Sequence, residues 1–218
     1  MASSSPFVVV LFVLLFIPAV ILHEVSHGYV AYLLGDPTAK DAGRLTLNPL
    51  AHVDLWGTIL MPVLMYLVAG FAIGYAKPVP IDPRRMTRVG YRNGMLLTGA
   101  AGPVTNFALA ICAGLLARLL ALFPVPAIVL DMAYIFTFIN LVLAFFNLIP
   151  IPPLDGSRVL QRFLSGRALD VYNSMERWGF FIILAVVFVL PSIFPQLDIL
   201  GTYLKYTVYP LTGLLTGL

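Results

Sequence analysis

The chain has 218 residues, 60% hydrophobic and 11% charged, with a mean hydropathy of +0.95 and a formal charge of +3. That composition excludes a soluble globular enzyme. It also gives no footing for nucleic acid, because the basic residues gather between apolar runs, where they set membrane topology. The first run, Phe7–Leu22, follows "MASSSP", which lacks the Lys or Arg of a signal-peptide n-region, so it is read as a retained helix. It ends in "HEVSH", residues 23–27. The connection Gly35–Asp54 is polar, and within it "GRLTLN" alternates like a short strand. Further uncharged runs follow at Leu55–Ala76, Gly94–Ala117, Met132–Leu154 and Trp178–Leu197, each near or above the roughly 20 residues a spanning helix needs. The tail from Tyr206 is short and interrupted by Pro210, which predicts an interfacial or partly inserted segment. Cys112 has no partner for an internal disulfide and reads as packing. These features predict an all-α polytopic membrane protein of five to six apolar segments, with a short β element after the first helix and one domain over residues 1–218.

Two histidines and a glutamate in so apolar a run are costly to keep unless something compensates them. His23 and His27 are four apart, which on a helix puts both imidazoles on one face. Glu24 lies beside them, completing the H-E-x-x-H pattern of zinc hydrolases: two ligands and a carboxylate that takes a proton from water. The alternative is a buried His–Glu cluster satisfied by other helices. A catalytic zinc site takes three protein ligands and keeps one position open. His52, in "NPLAHVD", is one candidate for the third. Asp155 is the better one, because it closes "NLIPIPPLDG", where Pro150, Pro152 and Pro153 open the helix. Broken helices at membrane depth are tolerated where they line a cavity or are buried in protein. An ordinary Asp-Gly turn would leave the same trace.

Three motifs together resemble the site-2 proteases, the intramembrane zinc metalloproteases. "HEVSH" matches their zinc-binding helix. "NLIPIPPLDG" matches N-x-x-P-x-x-x-L-D-G at Asn147, Pro150, Leu154, Asp155 and Gly156, and "AGPVTN" matches a Gly-Pro-x-x-Asn opening at Gly102, Pro103 and Asn106. The resemblance implies a three-helix metalloprotease core, His23, His27 and Asp155 as zinc ligands, and Glu24 as general base. It also implies that Asn147 positions substrate or stabilises the oxyanion, and that the substrates are transmembrane proteins met in the lipid bilayer. Two departures stand out. No segment is long and polar enough for the PDZ or CBS domain that many relatives carry, and the Leu55–Ala76 run has no place in a three-helix core.

Charge and metal together constrain topology. Lys77, Arg84, Arg85, Arg88 and Arg92 form one basic connection, and Arg158, Arg162, Arg167 and Arg177 another. Two apolar runs lie between them, so both belong on the cytoplasmic side. From Phe7 to His23 a helix rises about 24 Å, against a hydrocarbon core of about 30 Å. His23 therefore meets Asp155 only near the cytoplasmic side, with the N-terminus outside. The Leu55–Ala76 run then has both ends on one side and is expected to re-enter, bending at Gly57, Pro62, Gly70 or Gly74. The alternative is a true crossing. The expected protein is a multi-pass cell-membrane protease with its site toward the cytoplasm. Its rival is a metal transporter or scaffold using the same His/Asp cluster, distinguished by whether Glu24 serves turnover or metal binding.

Overall fold

In lipid, backbone polar groups must be satisfied within the protein, and a helix does so locally. The computed structural model describes residues 6–69 and 75–218. In chain order its helices are α1 (Pro6–Leu33), α2 (Thr38–Asp41), α3 (Met61–Ala69), α4 (Tyr91–Leu120), α5 (Ala127–Asn147), α6 (Asp155–Gln161), α7 (Gly166–Ser174), α8 (Glu176–Leu184), α9 (Leu190–Ile193) and α10 (Ile199–Thr216). Four stretches are long and apolar enough to cross a membrane: Val10–Leu33, Tyr91–Leu120, Ala127–Asn147 and Glu176–Ile193. The last runs from α8 to α9 through a π-helical segment, Ala185–Val189.

Helices α1, α4 and α5 pack on one another, and α10 lies against α4 and α5. Ala110, Leu141 and Val208 are buried where the last three meet, ringed by Phe107, Phe138 and Phe145. Without a hydrophobic drive between helices in lipid, close approach depends on small residues. Gly114 is one: a Cβ there would lie 2.6 Å from Leu215 Cβ.

Two expectations are corrected. Among the described residues there is no strand, and "GRLTLN" is turn and coil. Several of its polar groups bond outside any ladder. The Arg44 side chain is buried and donates to the Lys77 carbonyl at 2.6 Å. The Thr46 carbonyl pairs with His52 Nε2 at 2.8 Å, and the Asn48 side chain accepts from Leu50 N at 3.1 Å. The tail from Tyr206, expected to be interrupted at Pro210, is instead the second half of the continuous helix α10. It buries Val208, Thr212 and Thr216 against the bundle, with Pro210 accommodated inside the helix.

The 55–76 run leaves as a π-helical turn, Leu55–Leu60, and continues as α3. Residues 55–69 rise about 22 Å at most, short of the roughly 30 Å hydrocarbon core. Its two ends lie side by side. Tyr75 N donates to Gly57 O at 3.0 Å, Thr58 Oγ1 to Tyr75 O at 2.9 Å, and Lys77 N to His52 O at 2.9 Å. The bends expected at Gly70 and Gly74 lie outside the described residues.

Candidate metal centre

His23 and His27 sit one turn apart on α1 and are 6% and 5% exposed. Their Nε2 atoms lie 3.1 Å apart. Asp155 opens α6 and brings Oδ2 to 3.1 Å from His23 Nε2 and 3.2 Å from His27 Nε2. The proline break delivers that carboxylate. Helix α5 stops at Asn147, and the turn that follows is pinned by Tyr172, whose hydroxyl donates to the Pro150 carbonyl at 2.9 Å. Gly156 lets the turn fold onto itself, since a Cβ there would come within 2.7 Å of the Ile149 carbonyl oxygen.

The far sides of both rings decide what the near sides can do. His27 Nδ1 bonds the Thr98 carbonyl at 2.6 Å, and His23 Nδ1 bonds Asn106 Oδ1 at 2.5 Å. Oxygens of these kinds only accept, so the proton of each neutral ring is on Nδ1 and each Nε2 presents a lone pair. Three electron-pair donors therefore converge, and Asp155 Oδ2 is buried without a hydrogen-bond donor. Converging acceptors repel unless a cation lies among them. Two imidazoles and a carboxylate, with outer-side hydrogen bonds fixing the imidazoles, form a donor set that fits zinc. Among the described residues these three form the group able to hold a metal ion.

Helix α4 supplies the wall. A Cβ on Gly102 would lie 2.5 Å from His27 Nε2 and 2.6 Å from His23 Nε2, so α4 passes against both rings only because that position has no side chain. Gly99 does the same for α6, where a Cβ would lie 2.8 Å from Arg158 Cβ. Gly28, next to His27, admits Val79 and Leu45, whose side chains would come within 2.8 Å of a Cβ there. The connection after the 55–76 run is thus laid over α1. There the Val79 N–H donates to Glu24 Oε2 at 3.2 Å.

The remaining candidates lie elsewhere. His52 is buried in the connection after α2, bonded to Thr46, and is not part of the cluster. Asn147 turns its amide back to its own helix, donating to Leu143 O at 3.0 Å. Sequence reasoning did not find Thr98 or Val79, which act through backbone atoms, nor the role of Gly102 against the rings. One signal was available: Thr98, Gly102 and Asn106 recur every four residues, a small and polar stripe along one face of an apolar helix.

The model of the family described as Peptidase family M50 matches residues 124–190. A Bacillus subtilis protein named "Putative zinc metalloprotease YwhC" is 38% identical over 195 residues, covering 87% of this chain and 83% of that protein. A Mycolicibacterium smegmatis protein bearing the same description and the name Rip2 is 30% identical over 79% of this chain and 64% of its own length. "Zinc metalloprotease MJ0392" of Methanocaldococcus jannaschii is 28% identical over 75% of this chain and 37% of its own length. The chain therefore spans less than two thirds of these last two relatives. No solved structure matches it.

Proposed function

The chain belongs to peptidase family M50, and from that premise we propose that it cleaves peptide bonds in or near the transmembrane segments of other membrane proteins. It is a multi-pass metalloprotease, and zinc is its cofactor. In this reading His23, His27 and Asp155 hold the zinc and Glu24 is the general base. The observation that carries it is the convergence of three buried ligand atoms within 4.8 Å of one another, beside helices of membrane-spanning length. Zinc bound there supplies Lewis acidity, which makes water easier to deprotonate and polarises a carbonyl. Glu24 takes the proton from the attacking water and returns it to the leaving amine nitrogen. The Val79 N–H holds one of its oxygens, fixing the carboxylate's orientation beside the cluster. Asn147 would exchange its bond to Leu143 for the substrate carbonyl or the developing oxyanion. The positive-inside bias of the basic connections supports a site toward the cytoplasm, with the 55–76 run re-entering from that side.

The test is Glu24→Gln in purified protein presented with a panel of single-span membrane proteins. Zinc near one per chain with cleavage reduced by at least about 10²–10⁴-fold is expected. Cleavage near the wild-type rate removes Glu24 as the base. Loss of zinc together with activity assigns Glu24 to metal binding, as a transporter or scaffold would use it.

A further inference from the structure

Helix α5 carries a fully buried polar residue, Asn140, to which the reaction gives no role. Its surroundings leave its amide a single orientation. One end meets the Phe136 carbonyl at 2.9 Å, and because a carbonyl only accepts, that end is the nitrogen. The other end is therefore oxygen, and it accepts from Asn106 Nδ2 at 2.8 Å. The same Asn106 nitrogen reaches the Ala19 carbonyl of α1 at the longer distance of 3.4 Å. With its nitrogen claimed, Asn106 turns its oxygen to His23 Nδ1. We propose that Asn140 is a positioning residue for the metal centre: it fixes which way the Asn106 amide faces, and through that amide which nitrogen of His23 carries the proton.

The two histidines differ in how securely their tautomers are set. His27 faces the Thr98 backbone carbonyl, which cannot turn over. His23 faces a side-chain amide whose two ends are nearly equal in shape. Reversing that amide would offer N–H to His23 Nδ1 and move the ring proton to Nε2. That proton would then point at Asp155 Oδ2, 3.1 Å away, and close the site as an ordinary hydrogen bond with no place for a cation. The Asn140 oxygen opposes the reversal, since it would face another oxygen. The inference rests on the reading that His23 is a zinc ligand.

The experiment compares Asn140→Leu, which keeps the volume and removes both polar ends, with Asn140→Asp. Burial favours the neutral acid, whose O–H replaces the donor to Phe136 and whose second oxygen still accepts from Asn106. Nitrogen-15 NMR of histidine-labelled, metal-free protein should show His23 protonated on Nδ1 in wild type and in Asn140→Asp, with an Nε2-protonated population in Asn140→Leu. Zinc affinity by chelator competition should fall about 10–100-fold in Asn140→Leu and stay within about threefold of wild type in Asn140→Asp. Unchanged tautomer and affinity in Asn140→Leu, or equal losses in both variants, overturns the proposal. If Asn140→Leu does not fold, the wild-type spectrum decides: His23 protonated on Nε2 without metal is equally fatal. Undiminished zinc affinity in His23→Ala would instead overturn the ligand assignment beneath it, a separate result from either Asn140 arm.

Discussion

Replacing Gly102 by alanine sets two effects against each other. In a helix interior alanine is favoured over glycine by about 1 kcal/mol. Here the added methyl would sit 2.5 Å from His27 Nε2 and 2.6 Å from His23 Nε2. The rings cannot retreat, because their Nδ1 atoms are bonded to Thr98 and Asn106 on the same helix. The steric effect should win at the site: zinc affinity, measured by chelator competition, should fall at least about tenfold, the scale on which outer supports of a metal site are felt. Wild-type affinity would mean the rings can give way. The histidine pair was legible because a four-residue spacing has one meaning on a helix. Asp155 was legible from a motif but not from spacing, since it lies 128 positions after His27. The Thr98 carbonyl and the Val79 N–H were not legible at all, because backbone atoms belong to every residue and no letter announces them.

At the scale of elements, the loop that delivers Asp155 is clamped between α6, α7 and α8. Gly179 of α8 faces the Pro152 carbonyl, and a Cβ there would lie 2.6 Å from its carbon. A backbone carbonyl cannot swing aside as a side chain can, so Gly179→Ala must move the helix or the loop. Overpacking of this kind costs about 1–3 kcal/mol, and thermal unfolding in detergent should shift down accordingly. An unchanged midpoint would show that α8 is free to slide. Two elements misled sequence reading for physical reasons. "GRLTLN" has a strand's alternation, but no neighbouring strand is placed beside it among the described residues, and the Arg44 side chain and the Thr46 carbonyl are engaged by Lys77 and His52 instead. Pro210 reads as a helix breaker. Inside a helical bundle, neighbouring groups can compensate the backbone bond it removes, and α10 continues past it to Thr216.

Over the whole molecule, the apolar runs gave the helices, while the close approach of α4 to α1, α6 and α10 depends on Gly102, Gly99 and Gly114, which composition does not distinguish from other glycines. Topology can be tested directly. With both ends of the 55–76 run hydrogen-bonded side by side, cysteines placed at Thr46 and Arg85 in a background lacking Cys112 should label from the cytoplasmic face alone. Labelling from opposite faces would show that the run crosses and that the depth of the site must be assigned afresh. The central claim is that His23, His27 and Asp155 bind one zinc, and X-ray absorption at the zinc edge tests it most directly. The purified protein should contain one zinc per chain, with two imidazole nitrogens and carboxylate oxygen at about 2.0–2.2 Å and no sulfur, and Asp155→Ala should lose most of the metal. A shell containing sulfur, a single imidazole, or full zinc occupancy in Asp155→Ala would contradict it.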